Sequence, residues 1–267
     1  MKRELNGKEL QGYVQQRQQR QVASLGKDLK LAIVIIGVNP VIDTYVKLKE
    51  RYGEEIGVEV ATQRLSNHEE LKETIVSLNK DSSTDGIIVQ LPVEGLEQPQ
   101  ELLNTIAPGK DVDGLSDQSQ FDPATPIAIL WLLNGFNVEL QQGKKITIVG
   151  QGKLVGKPLL KMMQSADMHV TGVDEYTENS EEIIKNSDVV VSAVGKPGLI
   201  TSEMIKQDAT VVDAGTTSMG GTIVGDVSDD VFERDDVTIT PLGGRGGVGP
   251  LTITALFDNL IKAASIK

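Results

Sequence analysis

The chain has 267 residues, enough for one large α/β domain or two smaller ones, and it carries a formal net charge of −12, no cysteine and two histidines. The acidic excess argues against nucleic acid or an anionic membrane surface as a partner, and the absence of cysteine excludes disulfides, thiolate metal ligands and a cysteine nucleophile. The histidines lie far apart, so we predict no metal site; with no apolar run near the ~20 residues of a membrane span and no apolar signal core, we expect a soluble cytoplasmic protein.

Apolar, β-rich runs alternate with helix-period segments along most of the chain, which predicts parallel sheets joined by right-handed crossovers. In the first half the predicted strands are 31–37, 58–65 and 85–92. The stretch 104–126 is polar, rich in Gly and Pro and without helical period. It predicts a loop that leads into a connecting helix, 127–136, and we place a domain boundary there.

A helix is predicted between the first two strands, with Asn39 as N-cap, Pro40 as its first residue and Gly57 as its C-terminal cap. One face of this helix is an apolar stripe formed by Ile42, Tyr45, Lys49, Tyr52 and Ile56. Lys49 is the one charged residue on the stripe. Burial there would lower its pKa and suit it to proton transfer, but the stripe alone favours a lysine that reaches solvent at the edge.

Three polar residues follow where a parallel sheet places its ligand-binding groups. Gln90 lies near the carboxyl end of the third strand, and Asp111 and Asp113 lie in the turn KDVDG just before the predicted boundary. A glutamine at a strand end is usually structural, and such a turn is usually an Asx turn, so both alternatives stay open.

The second half repeats the alternation of strands and helices. The predicted strands are 145–150, 168–174, 188–195 and 209–215. A glycine-rich segment, 240–250, then precedes an apolar helix at 251–264.

The segment KITIVGQGKLVGKP places a strand directly before a glycine-rich turn. Gly150, Gly152 and Gly156 follow the pattern GxGxxxG, one residue longer than the usual dinucleotide fingerprint. Such glycines let the backbone approach a pyrophosphate, and the helix predicted from about Lys157 would offer free N–H groups. An ordinary turn is the alternative, but the next strand ends in an acid, Asp174, as dinucleotide sites do.

An acid at that place accepts hydrogen bonds from a ribose diol and repels a 2′-phosphate. Glu175 follows Asp174, and neither Arg nor Lys occurs between 165 and 184. We therefore predict NAD rather than NADP as the cofactor. The alternative is that the two acids are a solvated strand end.

Several motifs together resemble one enzyme family. In chain order they are Tyr45-Val46-x-x-Lys49, DGIIVQLP (85–92), PGKDVDG (108–114), PATP (123–126), VGKP (155–158), VGKPGLI (194–200), VGDV (224–227) and GGVGPLT (246–252). They cover nearly the whole chain in the family's order and spacing. The chain thus resembles the bifunctional methylenetetrahydrofolate dehydrogenase/methenyltetrahydrofolate cyclohydrolase family.

The resemblance implies an α/β protein of two domains with a cleft between them. Residues 1–125 plus 251–267 would form an N-terminal three-layer α/β domain that binds folate, and residues 126–250 a Rossmann-like parallel-sheet domain that binds NAD or NADP. The implied activity is oxidation of 5,10-methylenetetrahydrofolate by hydride transfer to nicotinamide, then hydrolysis to 10-formyltetrahydrofolate. A homodimer is implied as well.

The resemblance also implies roles for individual residues. Lys49 matches the family's catalytic lysine, and Tyr45 matches a tyrosine that lines the folate site. Gln90 matches the glutamine that hydrogen-bonds this lysine, and Asp113 the aspartate that holds the pterin ring. Further folate-binding residues are Leu91, Pro92, Gly247, Pro250 and Thr252. The implied dinucleotide-binding residues are Gly150, Gln151, Gly152, Lys153, Leu154, Val155, Gly156, Asp174, Glu175, Ala193, Gly195 and Thr216.

The chain departs from the family pattern at several of these places. Ile42 replaces a serine near the lysine, and the 240–250 loop is two residues longer than usual. Gln151 replaces a residue that is often cationic, and acids replace the basic strand end, which agrees with NAD. A dehydrogenase with little hydrolase activity, a cyclohydrolase without productive cofactor binding and a non-catalytic folate- or nucleotide-binding protein remain alternatives.

Overall fold

A computed structural model describes residues 3–141, 143–219, 222–242 and 246–266. The described strands are β1 (Arg3–Glu4), β2 (Leu29–Ile36), β3 (Val58–Leu65), β4 (Gly86–Val89), β5 (Ile146–Val149), β6 (Val170–Val173), β7 (Val189–Ser192), β8 (Thr210–Asp213), β9 (Thr217–Met219), β10 (Thr222–Val224) and β11 (Thr238–Ile239). The described α-helices are α1 (Gly7–Ser24), α2 (Pro40–Ile56), α3 (Glu69–Lys80), α4 (Gln100–Leu103), α5 (Ala124–Gly135), α6 (Gly156–Ser165), α7 (Ser180–Lys185), α8 (Asp229–Phe232) and α9 (Val248–Ile266).

The chain divides into two compact units. The three-stranded unit comprises Gly12–Ala124 and Ile253–Lys267, and the six-stranded unit comprises Met1–Gln11 and Thr125–Thr252. Helices α1 and α9 each contribute residues to both units.

The three-stranded unit has the order β3-β2-β4, with all strands parallel. Its central strand β2 is apolar and buried along almost its whole length, as expected for a strand covered on both faces. Leu71 and Ile75 of α3 pack against one face of the sheet. Close approaches define the other face: an added Cβ at Gly53 of α2 would lie 2.4 Å from Val60, and one at Gly86 would lie 2.7 Å from Leu260 of α9. The predicted three-layer arrangement is therefore confirmed.

The six-stranded unit has the order β1-β11-β8-β7-β5-β6, again with all strands parallel. Strands β5, β6, β7 and β8 confirm the four strands predicted in the second half of the chain. The antiparallel hairpin of β9 and β10 and the edge strand β1, which pairs with β11, were not predicted. The predicted Rossmann-like parallel sheet is thus observed, with an additional edge strand.

The helix boundaries differ slightly from those predicted. Helix α5 begins at Ala124 instead of residue 127, and α9 extends over Val248–Ile266 instead of 251–264. Helix α2 begins at Pro40, as predicted, and ends at Ile56, directly before Gly57 with its φ of 81°. The two-domain α/β fold class is confirmed, while the functional assignment of the two domains stays a prediction.

Candidate active site and dinucleotide site

The predicted stripe on α2 is present. Ile42, Tyr52 and Ile56 are buried, and Tyr45 and Lys49 between them are half-buried. Asn39 Oδ1 accepts a hydrogen bond from the backbone N–H of Ile42 at 3.4 Å, which fixes the start of the helix. The lysine therefore lies along the inward face of the helix.

The Lys49 amine contacts the glutamine that follows β4. Lys49 Nζ donates a 2.7 Å hydrogen bond to Gln90 Oε1, the contact that the family resemblance implies. Gln90 is itself held, because its backbone N–H donates to Val34 O at 2.9 Å and its Nε2 donates to Leu91 O at 3.0 Å. With Nε2 occupied in this way, the amide oxygen is presented to the lysine.

Two opposite charges meet at this place, and each changes the pKa of the other. Burial lowers the pKa of Lys49, and the negative charge of Asp113 opposes that shift. Burial raises the pKa of Asp113; the Lys49 charge opposes the shift, and nearby Asp111 adds to it. Lys49 is thus biased toward the neutral amine, the form that can accept a proton.

The two aspartates of the KDVDG turn have different roles. Asp111 is 1% exposed and closes the turn: its carboxylate accepts the backbone N–H of Gly114 at 3.2 Å and of Ser116 at 2.8 Å. The structural alternative therefore holds for Asp111. Asp113 is not needed for these turn contacts, and its charge interacts with Lys49.

A residue that the sequence did not single out fixes this turn from α9. Asn259 is 1% exposed, and its Nδ2 donates to Val112 O and to Asp122 O, both at 3.0 Å. Gly114, with a φ of 72°, has no room for a Cβ, which would lie 2.7 Å from the Asp122 carbonyl carbon. The one signal available was a polar residue inside an apolar helix.

Tyr45 lies one turn before Lys49 on the same face of α2. Burial raises the pKa of its hydroxyl, so the group is a neutral donor and acceptor at physiological pH. Ile42, one further turn away, is 5% exposed and offers no hydroxyl beside these residues. Leu91 and Pro92 follow Gln90 and are joined by a cis peptide bond.

In the six-stranded unit, the glycine-rich turn joins β5 to α6 as predicted. Gly150 has a φ of 94°, and a Cβ there would lie 2.7 Å from Ala193 O. A Cβ at Gly156 would lie 1.8 Å from Gly150 O, whereas one at Gly152 would meet nothing within 4 Å. Two glycines are therefore required by packing, and the third leaves the backbone open to a ligand.

The exposed part of this turn includes Lys153 and Leu154, with Val155 half-buried before α6. Gln151 instead folds back onto the sheet: its Nε2 donates to Ile148 O at 3.1 Å and to Gly150 O at 3.2 Å. Gly172 of β6 makes room for it, because a Cβ there would lie 2.6 Å from Gln151 Cδ.

Asp174 directly follows β6, and the turn that it begins holds its carboxylate. Asp174 Oδ1 accepts the backbone N–H of Tyr176 at 3.1 Å and the hydroxyl of Thr177 at 2.8 Å. Asp174 is half-buried, and Glu175 and Tyr176 are exposed. Asp174 lies at the same end of the sheet as the glycine-rich turn, because Val149 of β5 pairs with Val173 of β6. Its contact with a ribose stays a prediction.

The other predicted cofactor residues follow β7 and β8. Ala193 and Gly195 are half-buried and Thr216 is exposed. The buried Asp226 of the VGDV motif contacts this loop, a role that the sequence did not indicate.

Gly247, Pro250 and Thr252 belong to the six-stranded unit. Thr252 Oγ1 donates to Val248 O at 3.3 Å, and Pro250 O accepts from Gln11 Nε2 at 3.1 Å. Pro250 and Thr252 lie in the first turns of α9, and residues 243–245, in the loop before Gly247, lie outside the described residues. The role of Gly247, Pro250 and Thr252 in folate binding stays a prediction.

Within the described ranges, no group of three or more His, Cys, Asp or Glu residues could hold a metal ion. In the same part of the chain, no helix combines the length and apolar character needed to cross a membrane.

Comparison with known proteins identifies the family. Residues 5–113 match the tetrahydrofolate dehydrogenase/cyclohydrolase catalytic domain, and residues 123–267 match the NAD(P)-binding domain of the same family. The bifunctional protein FolD of Helicobacter hepaticus is 36% identical over 97% of this chain and 96% of its own length.

Solved structures agree. FolD methylenetetrahydrofolate dehydrogenase/cyclohydrolase from Campylobacter jejuni superposes with a TM-score of 0.92 at 32% identity, over 100% of this chain and 99% of that one. The Trypanosoma brucei enzyme, solved with NADP and an inhibitor, gives 0.91 at 30% identity, over 99% and 98% of the two chains. The chain belongs to the tetrahydrofolate dehydrogenase/cyclohydrolase family.

Proposed function

We propose that the chain oxidises 5,10-methylenetetrahydrofolate with a nicotinamide dinucleotide and hydrolyses the methenyl product to 10-formyltetrahydrofolate. In the first step a hydride leaves the methylene carbon for the nicotinamide ring, which needs alignment of two bound rings more than an acid or a base. In the second step water adds to the methenyl carbon and loses a proton, and the carbon–nitrogen bond to N5 breaks.

The hydrogen bond from Lys49 to Gln90 carries this proposal. A lysine whose pKa is lowered by burial can accept the proton of the attacking water and return it to the departing nitrogen. Gln90 Oε1 holds the amine of Lys49, and the Gln90 amide is itself held by the hydrogen bond from its Nε2 to Leu91 O. Asp113 supplies a carboxyl group for the polar edge of the pterin ring.

We propose NAD as the preferred dinucleotide. The carboxylate of Asp174, which Tyr176 and Thr177 hold in place, supports this proposal, because an acid after this strand can accept hydrogen bonds from a ribose diol. Gln151, at a position that is often cationic in the family, is a neutral side chain folded back onto the sheet, where its Nε2 donates to Ile148 O. The Trypanosoma brucei relative was solved with NADP, so the proposal depends on these residues and not on the family.

Titration of the protein with NAD and with NADP tests the cofactor assignment. We expect NAD to bind at least about tenfold more tightly, because a 2′-phosphate would lie against two acids. Equal affinities, or tighter binding of NADP, would contradict the NAD assignment. Binding of neither would favour the alternative of a cyclohydrolase without productive cofactor binding.

Hydrolysis of methenyltetrahydrofolate, measured without dinucleotide, separates the remaining alternatives. The proposal requires turnover that depends on Lys49. A protein that binds folate without turnover would be a non-catalytic binding protein, and one that reduces NAD without hydrolysis would be a dehydrogenase only. A homodimer and a cytoplasmic location are supported by the family resemblance, and light scattering tests the first.

A further inference from the structure

Asp226 is the most heavily hydrogen-bonded carboxylate that we describe in the six-stranded unit. Its side chain is 0% exposed. Its Oδ2 accepts the Ser192 hydroxyl at 2.7 Å and the Val194 N–H at 2.8 Å. Its Oδ1 accepts the N–H of Gly195 at 2.8 Å and of Lys196 at 2.7 Å. One carboxylate thus gathers three consecutive backbone donors after β7.

The surroundings of Asp226 are built to admit this carboxylate. A Cβ at Gly215 would lie 2.1 Å from Asp226 Cγ, so only glycine fits there. Asp213, at the end of β8, orients the backbone of Asp226 in turn: its Oδ1 accepts the Asp226 N–H at 3.0 Å and its Oδ2 accepts the Val227 N–H at 3.1 Å. The position of the Asp226 carboxylate is therefore fixed from both sides.

The loop that Asp226 holds, residues 193–196, also packs against the glycine-rich turn. At Gly150, an added Cβ would lie 2.7 Å from Ala193 O and 2.8 Å from Val194 Cγ2. A shift of a few tenths of an ångström in residues 193–196 would therefore move the turn, or leave a gap beside it. The carboxyl ends of neighbouring parallel strands are where such sheets bind dinucleotides.

We propose that Asp226 is a positioning residue for the dinucleotide, which acts by holding residues 192–196 in the conformation that shapes the cofactor site. The inference rests on the proposed function, because it assumes that the cofactor binds at this end of the six-stranded sheet. Asp226 does not contact the reacting atoms in this account. Its effect passes through the backbone N–H groups that it binds.

The test compares NAD binding with hydrolysis of methenyltetrahydrofolate in the same preparation. Asp226→Asn keeps the shape of the side chain but replaces one acceptor oxygen by an NH2 group that faces backbone donors. We expect the Kd for NAD to rise by at least about tenfold. Hydrolysis needs no dinucleotide and uses Lys49 of the other unit, so its kcat should change by less than about twofold.

Asp229→Asn is the matched control, since it removes the same charge from an exposed residue three positions away and should leave NAD binding unchanged. Ser192→Ala removes one of the four hydrogen bonds and gives a milder variant, should Asp226→Asn fail to fold. We expect it to weaken NAD binding by about threefold to tenfold.

The outcomes are distinguishable. If the wild type binds neither NAD nor NADP, the proposed function fails. If the wild type binds NAD and Asp226→Asn binds it equally well, the positioning role is wrong. If NAD binding and hydrolysis fall in parallel in Asp226→Asn and in Ser192→Ala, Asp226 only stabilises the fold, and the inference is overturned as well.

Discussion

The two candidate sites are built in opposite ways. In the three-stranded unit, charged and polar side chains form the site: Lys49 meets Gln90 at 2.7 Å and interacts with Asp113. In the six-stranded unit the backbone forms most of the site, with Gly150 and Gly156 tightly packed and Gly152 open, and Asp174 adds one carboxylate. The first arrangement sets protonation states and the second sets a shape.

This difference corresponds to the two chemical steps. Hydrolysis moves protons and needs a group whose pKa is tuned by its environment. Hydride transfer needs two rings held in register, for which a rigid backbone cradle suffices. Side-chain changes in the first site should therefore alter hydrolysis and its pH dependence, and backbone changes in the second should alter dinucleotide binding.

The largest effect is expected at Lys49. Lys49→Met should lower hydrolysis of methenyltetrahydrofolate by about 10²–10⁴-fold, the usual loss when a general base is removed. Hydride transfer should fall less, because it needs no proton acceptor. Lys47→Met, on the exposed face of the same helix, is the control for loss of a positive charge. Equal loss of both reactions in Lys49→Met would contradict a role in proton transfer.

The acids after β6 provide the next test. Replacing Asp174 by Ser and Glu175 by Arg should move the preference toward NADP by about 1–3 kcal/mol, since it removes a diol acceptor and adds a phosphate partner. The measurement is kcat/KM with each cofactor. Glu178→Arg adds the same positive charge nearby and should change the ratio little. An unchanged ratio in the double variant would refute charge repulsion as the source of NAD preference.

The glycine-rich turn allows a comparison within a single motif. Gly156→Ala should lower the free energy of unfolding by about 1–3 kcal/mol, because its Cβ would lie 1.8 Å from Gly150 O. Gly152→Ala meets nothing within 4 Å and should leave that free energy unchanged or slightly raised. Denaturant unfolding of the protein without dinucleotide measures both. Similar destabilisation by the two substitutions would show that packing does not distinguish these glycines.

The last prediction concerns the pH profile of hydrolysis. If the neutral amine of Lys49 is the active form, the rate falls as pH drops through the pKa of Lys49. Gln90→Glu places a negative charge beside the ammonium and raises that pKa, so the acidic limb should move upward by about 1–3 pH units. Gln98→Glu adds the same charge at an exposed position and should not move it. A limb that stays in place or moves downward would contradict the assignment.

Features that repeat locally along the chain could be predicted from the sequence. The stripe on α2, the parallel strands and the glycine-rich turn depend on residue spacing over a few turns or one strand, and the structure contains all three. The strand end and the KDVDG turn singled out Gln90 and Asp113, and the family motifs gave them roles, but no local pattern could show their proximity to Lys49.

Features that join distant parts of the chain could not be predicted. β1 has two residues and pairs with β11 near the opposite end of the sequence, so no periodicity marks it. The sequence does not distinguish the roles of Asp111 and Asp113, which lie in the same short turn. Only the hydrogen bonds of the folded turn show that Asp111 has a structural role. Asn259 and Asp226 act on loops more than twenty residues away along the chain.

The most direct measurement is a side-by-side reaction of wild-type protein with methylenetetrahydrofolate and either NAD or NADP. Reduced nicotinamide and methenyltetrahydrofolate are both followed directly by absorbance, without acid quenching, because acid converts 10-formyltetrahydrofolate back to the methenyl compound. We predict nicotinamide reduction with NAD, little with NADP, and no accumulation of the methenyl compound, because the protein hydrolyses it with Lys49 as the base. Absence of reduction with both cofactors would contradict the dehydrogenase, and accumulation of the methenyl compound with NAD would contradict the coupled hydrolysis.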